Sequence, residues 1–242
     1  MRNLLRISII PSLLLGLFFV LTNSCNKSDT TTIVAIPATV TDIDGNIYHT
    51  VTIGSQVWML ENLKTTKYNN GDPIANITVD SLWRESSSGA YCNFNNEISN
   101  VDTYGRLYNF YAVNDSRLIT PVGWRVPTDA DWSLLTYYLG GDTIAGNKMK
   151  EVGTTHWLSP NTKATNLSGF TALPGYFRDG LSGSFPLPDS STNYQGVWWS
   201  SSSFYNGNYG AWMRSLSYAN GKVSRAWCSY TQGCSIRCVM VR

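Results

Sequence analysis

The ten residues Gly123-Trp124-Arg125-Val126-Pro127-Thr128-Asp129-Ala130-Asp131-Trp132 constrain the fold of this chain more than any other stretch. Pro127 fixes its own φ and drives Val126 to extended geometry, so a strand has to end there. Thr128 with Asp131 three residues later forms a capping box, with Asp in the place of the usual Glu or Gln. Asp129 and Asp131 also put negative charge on the positive end of a helix, about 0.3–1 kcal/mol each when exposed. Trp132, Leu135, Tyr138 and Leu139 follow at helical spacing, and Gly140-Gly141 supplies a left-handed stop. Trp124, Pro127, Thr128, Asp131 and Trp132 are therefore structural residues. The helix-start position gives the two carboxylates a capping role rather than acid chemistry.

The chain on either side is rich in strands and loops. Thr39 to Ile43 reads as a strand and Asp44-Gly45 as a turn. Ile47 to Ile53 alternates, with Val51 and Ile53 on one face and Thr50 and Thr52 on the other. Gly54-Ser55 suits a two-residue type II′ turn into a return strand over Gln56 to Leu60. Residues 64–102 are expected to be long and mostly irregular, with Trp83, Tyr91 and Phe94 interspersed. Tyr104, Leu107, Phe110 and Tyr111 have helical spacing, which predicts a helix over Tyr104 to Asn114. Lys148 to Lys150 reads as a short strand or a helical turn. Residues 153–169 and 178–196 form two further loops, and Phe170 to Phe177 is a strand interrupted by Pro174-Gly175. Val197 to Ser200 reads as a buried strand. Trp212 to Tyr218 and Lys222 to Ala226 form a hairpin about Asn220-Gly221, and Ser235 to Val241 closes the chain with Ile236, Cys238 and Met240 on one face. The sum is an α+β domain with two main helices, short antiparallel strands and long loops.

Residues 1–24 have the layout of an export signal: Arg2 and Arg6 precede a short apolar run that includes Leu13 to Leu21. Cys25 follows a small residue, as in a bacterial lipobox, and is the expected lipidation site. Residues 25–38 are Ser/Thr-rich and read as a linker, leaving one domain over 39–242. The expected place is the cell envelope, as an outer-membrane lipoprotein that meets the membrane through its lipid, on the surface-exposed or the periplasmic side. The formal net charge of +2 equals the contribution of Arg2 and Arg6, so the mature chain is neutral. That argues against nucleic acid as a partner. Export to an oxidising compartment leaves Cys92, Cys228, Cys234 and Cys238 to form one or two disulfides, of which Cys228 with Cys234 would tie one loop and Cys92 with Cys238 would tie an early loop to the last strand. Their spacing is not that of a zinc site.

A family resemblance rests on an ordered set of motifs. The central stretch is joined by Gln56-Val57-Trp58-Met59-Leu60-Glu61-Asn62-Leu63, Tyr104-Gly105-Arg106-Leu107-Tyr108-Asn109 and Thr165-Asn166-Leu167-Ser168-Gly169-Phe170. Leu173-Pro174-Gly175-Tyr176 and Ser235-Ile236-Arg237-Cys238-Val239 complete it. Together they cover roughly residues 41–242 and resemble the Fibrobacter succinogenes major paralogous domain, found in exported proteins of Bacteroidetes and Fibrobacteres. More distantly, the central stretch is similar to formylglycine-generating-enzyme-like proteins. Both resemblances imply a C-type lectin-like fold with the termini brought together on one sheet. Fold alone does not assign activity.

The lectin-like expectation makes the domain a binding module for a carbohydrate or a surface partner, without catalysis. Trp157, Tyr176, Arg178, Asp179, Trp199, Tyr209 and Trp212 lie in or beside the late loops and are the candidate ligand contacts, since aromatic rings stack on sugars while polar groups meet hydroxyls. Lectin calcium motifs are incomplete: Ser159-Pro160-Asn161 and Leu187-Pro188-Asp189 lack the first ligand oxygen, so no cofactor is expected, although calcium held elsewhere stays open. A structural or adhesive surface component is the alternative. An oxidase of the formylglycine-generating type is the less favoured one: it would need two of the late cysteines to be reactive. His49 and His156 are the two histidines and no Gly-x-Ser-x-Gly elbow occurs, so no catalytic constellation stands out.

Overall fold

A computed structural model describes residues 36–186, 195–205 and 210–241. The export signal, Cys25, most of the linker, Leu187-Pro188-Asp189 and Tyr209 lie outside the described residues.

The first strands form an antiparallel meander: β1 (Thr39–Thr41), β2 (Ile47–Ile53) and β3 (Gln56–Met59). Ile53 pairs with Gln56, and Gly54 at φ +60° turns the chain in the two intervening residues. A Cβ on Gly54 would stand 2.9 Å from the Tyr138 ring, so glycine also allows a close approach. Residues 64–102 are more ordered than their composition suggests. They hold β4 (Ala75–Asn76), α1 (Asp80–Arg84), β5 (Ala90–Asn93) and α2 (Val101–Tyr104), with Trp83 fully buried beneath them.

The helix predicted over Tyr104 to Asn114 is not one helix. The chain ends α2, runs through β6 (Arg106–Tyr108) and starts a separate turn, α3 (Phe110–Val113). Gly105 breaks it at φ +72°, where a Cβ would meet Asn62 Cβ at 2.7 Å. Asn109 is extended, and its Oδ1 accepts from the Ala112 amide, which starts α3 afresh. The helical spacing of the aromatics was thus counted across two changes of backbone direction.

After β7 (Trp124–Arg125), α4 spans Asp129–Tyr138. Thr128 Oγ1 accepts from the Asp131 amide at 3.1 Å, and Asp131 Oδ2 accepts from the Thr128 amide at 2.7 Å. Arg125 pairs with the same carboxylate. Burial works to raise the Asp131 pKa, but the hydrogen bonds from Arg125 and Thr128 outweigh it and hold the carboxyl below its ordinary value. Trp132, Leu135 and Leu139 are buried; Tyr138, placed with them by spacing, is 62% exposed. The helix stops at Gly140 and Gly141, both at positive φ. A shorter helix, α5 (Ala145–Met149), follows.

The late strands are β8 (Gln195–Phe204), β9 (Gly210–Ser217), β10 (Val223–Cys228) and β11 (Val239–Met240). One sheet runs β1-β2-β3-β11-β7, so the first and last strands share it; a second runs β10-β9-β8 and a third β4-β5-β6. Two predicted strands are shorter. Phe170 to Phe177 contributes single bridges, Ala172 to Lys150 and Tyr176 to Gly196, and most of Ser235 to Val241 is extended chain that bridges Ser235 to Trp198 before joining β3 and β7. The β9–β10 hairpin has Leu216 opposite Val223, and neither Asn220 nor Gly221 has positive φ, so the two-residue turn is absent. Lys150 sets the wider loop: its Nζ donates to the carbonyls of Thr162, Ser217 and Asn220 at 2.9–3.2 Å. Burial lowers its pKa to about 8, and the carbonyls favour the ammonium.

The motifs meet at one buried node. Arg237 donates through Nε and Nη2 to Asn62 Oδ1 at 3.1 and 3.0 Å and through Nη1 to the Phe170 carbonyl. Its guanidinium lies 4.3 Å from the Phe170 ring centroid. Trp198 Nε1 donates to the same Asn62 oxygen, and Asn62 Nδ2 reaches the Tyr104 carbonyl. Trp58, Trp132, Phe170 and Trp198 pack around it, with Trp58 and Trp132 centroids 4.9 Å apart. Each donor nitrogen of Arg237, Trp198 and Asn62 has an acceptor, as a closed interior requires.

Candidate functional site

Of the nine tryptophans, only Trp212 and Trp227 are not buried. Trp157 donates to the Ala172 carbonyl and Trp199 to the Tyr108 carbonyl, so these two candidate contacts are core residues with their indole N–H groups used internally. Arg178 is also buried. It holds the Gly183, Ile77 and Thr78 carbonyls and Asp80, and lies over Trp83. Tyr176 stacks on Phe94 with centroids 4.1 Å apart. Asp179 Oδ1 caps its own turn by accepting from the Leu181 and Ser182 amides. Trp212 is half-buried on β9. The candidates do not form one site: Trp157, Trp199 and Arg178 offer no face to a ligand.

A cleft of about 510 Å³ lies elsewhere. Ser87, Ser88, Tyr111, Asn114, Ser203 and Tyr230 line it, with Asp115 and Ser116 at one side. Buried Asn109 holds the serine segment from behind: its Nδ2 donates to the Ser88 carbonyl at 2.8 Å and to Ser86 Oγ at 3.2 Å, and its Oδ1 accepts from the Ala90 amide. Phe110 and Tyr230 stack at 4.9 Å, and Tyr111 meets Tyr230 edge-on at 5.8 Å. Hydrogen bonds from Arg117 pull the Asp115 pKa down to about 2, so the carboxylate is charged. The Ser86-Ser87-Ser88 and Ser200 to Ser203 runs are the sequence features that point here, whereas Tyr111 falls in the helix predicted over Tyr104 to Asn114.

A second surface feature sits on the other face of the same sheet end. Phe204 and Trp227 stack with centroids 5.0 Å apart and planes 2° apart, and Trp212 meets Phe204 edge-on at 5.0 Å. Arg225 lies 3.4 Å over the Trp212 ring. Asp129 accepts from Arg214 Nη1 at 2.7 Å and from Arg225 Nε at 3.0 Å. Burial works to raise the Asp129 pKa, but the two arginines outweigh it and hold it below the ordinary value. Asp129 is therefore a charge anchor as well as a first-turn residue.

The cysteines correct the disulfide expectation. Cys92, Cys228, Cys234 and Cys238 are free thiols, and Cys92 and Cys238 lie in different core clusters. Burial pushes the Cys92 thiol up to about 12, and burial with the hydrogen bond that the Cys234 thiol donates to Cys228 pushes Cys234 up as well. His49 pairs with Glu61 and His156 with Glu151. In Ser159-Pro160-Asn161 the Asn161 amide is used inside the fold, donating to the Glu151 and Gly153 carbonyls. Among the described residues no three His, Cys, Asp or Glu gather as a metal site would need.

Comparison with curated proteins gives no match, and comparison with solved structures gives none either. The family model of the Fibrobacter succinogenes major domain matches residues 51–240, a span that contains the whole motif node, the cleft and the aromatic sheet end. The chain belongs to the Fibrobacter succinogenes major domain family.

Proposed function

We propose that the domain is a non-catalytic binding module that takes carbohydrate in the cleft between Ser88, Tyr111, Ser203 and Tyr230, held at the cell envelope by lipid on Cys25. The observation that carries this is the lining itself: serine hydroxyls and the Asn114 amide, which both donate and accept, beside tyrosine rings in about 510 Å³. Sugars need that combination, since hydroxyls ask for two-way hydrogen bonding and ring C–H faces ask for aromatic surface. Pairing of β11 between β3 and β7, which brings the first and last strands into one sheet, supports a lectin-like arrangement. The reading invokes no bound ion.

Glycan-array binding by the full chain in detergent tests it. Tyr111→Ala and Asn114→Ala should each weaken the strongest hits by about tenfold, the size expected of a central contact. Hits that survive both changes would remove the cleft reading. Binding to surface proteins and to no glycan would replace it with the adhesive one. The anchor is tested by intact mass: Cys25→Ser should lose the diacylglyceryl increment.

A further inference from the structure

We propose that the exposed end of the β8–β10 sheet is a second binding site, specific for an acidic saccharide: Trp227 takes the apolar face of a carboxylate-bearing pyranose and Arg225 takes its carboxylate. The site goes beyond the cleft reading and does not depend on it. Ser203 lines the cleft, whereas the next residue, Phe204, belongs to the aromatic group on the opposite face.

Three observations converge. The first is an available ring face. Trp227 is 50% exposed although Phe204 covers one side of its indole, so the other side is open to solvent. Single exposed aromatics are ordinary, but this one stacks on Phe204, which Trp212 in turn meets edge-on. The second is a positioned cation. Arg225 is pinned by Asp129 through Nε and Nη2 and by the Trp212 ring, while its Nη1 has no acceptor among the described residues. Arg225 and Trp227 are same-face neighbours on β10, about 7 Å apart along a strand, a separation that suits a pyranose ring and its exocyclic carboxylate. The third is the polarity of the surface. The indole N–H groups of Trp212 and Trp227 also lack protein acceptors among the described residues. The carboxylate at hand, Asp129, is already shared by Arg214 and Arg225, which leaves one positive charge in excess; Asp142 acts on Arg214 from beyond salt-bridge distance.

The unused Arg225 Nη1, the two indole N–H groups and the open Trp227 face suit a ligand rich in acceptors, negatively charged and flat on one side. A uronic acid has all three properties. A neutral sugar would bring no charge to the Arg225 guanidinium, and an acidic peptide would lack the rigid ring face. A planar guanidinium matches a carboxylate in geometry as well as charge.

Titration calorimetry with the full chain in detergent tests this, using tetragalacturonate and its fully methyl-esterified form, which keeps the rings and removes the charge. The acid should bind saturably and at least about tenfold tighter than the ester. Arg225→Gln should bring the acid down to the level of the ester without moving the ester. Trp227→Ala should weaken both by about tenfold and, being at the surface, leaves folding intact should Arg225→Gln prove unstable. Tyr111→Ala should change neither. No saturable acid binding up to roughly 10 mM, equal binding of acid and ester, or loss on Tyr111→Ala instead of Trp227→Ala would overturn the proposal. So would displacement of the acid by polyglutamate at equal carboxylate concentration.

Discussion

Arg237 and Arg225 both lie over aromatic rings, yet they serve different ends. Arg237 is buried, 4.3 Å from the Phe170 centroid, and its three donor nitrogens go to Asn62 Oδ1 and the Phe170 carbonyl. Arg225 lies 3.4 Å over Trp212 with its side chain 42% exposed and Nη1 unused. The difference lies in how completely the fold consumes the donors. A closed hydrogen-bond set makes the arginine a joint between chain segments far apart in sequence. An open set beside an aromatic face leaves something for a ligand to complete.

The comparison breaks most easily at Arg237. Burial pulls its pKa down to about 9, opposed by Glu61, so it enters the interior as a cation at neutral pH. Arg237→Leu removes the donor to Phe170 and part of the set at Asn62. It should cost about 3 kcal/mol or more in urea unfolding, because a buried carbonyl and amide oxygen lose their partners. A cost below about 1 kcal/mol would mean that the closed set does not hold the motifs together. Lys150 tests the same idea without an aromatic node. Lys150→Met leaves the Thr162, Ser217 and Asn220 carbonyls without their shared donor, for an expected loss of about 2–3 kcal/mol by the same measurement.

The two regions were also unequally legible in the sequence. Local rules with short reach worked. The alternation of Ile47 to Ile53 gave the strand, Thr128 with Asp131 gave the helix start, and Gly140-Gly141 gave its stop. The motifs recovered the family because they are the core: Asn62, Phe170, Trp198 and Arg237 must meet, and each has few substitutes. The broken segment at Gly105 and Asn109 was not legible, because the helical spacing of its aromatics is real while the glycine approach to Asn62 and the Asn109 cap are long-range facts. The binding surfaces were the least legible. Tryptophans in late loops looked like ligand platforms, but Trp157 and Trp199 spend their N–H groups on backbone carbonyls. The cleft draws on residues from four separate stretches, 87–89, 110–116, 203 and 230, and no local pattern announces such a meeting.

Asp131 at the start of α4 is partly buried and paired with Arg125. Asp131→Asn weakens the capping box and the ion pair together, for an expected loss of about 1–2 kcal/mol near pH 7. The sign with pH follows from its folded pKa lying below the ordinary value. Above the unfolded value of about 3.9 the carboxylate contributes in full; as pH falls through the folded value that contribution is lost. The stability gap between the natural chain and Asp131→Asn should therefore be flat from pH 5 upward and shrink below about pH 4. A gap that stays constant into acid would assign the loss to packing rather than charge.

The smallest effect on stability is expected at Arg225, where the comparison is sharpest. Its pairing with Asp129 is half in water, and Arg214, whose side chain is nearly buried, still holds the carboxylate when Arg225 is changed. An exposed pair of this kind is worth about 1 kcal/mol or less. Arg225→Gln should therefore leave the urea midpoint nearly unmoved while Arg237→Leu shifts it strongly, although both remove a guanidinium stacked on an aromatic ring. If the two changes cost the same, stacking and not the closure of the donor set would be what distinguishes a structural arginine here. If Arg225→Gln proves the more costly, the three-residue group of Arg214, Asp129 and Arg225 would be a clasp between α4 and the β8–β10 sheet, and its exposed donor a by-product of that clasp.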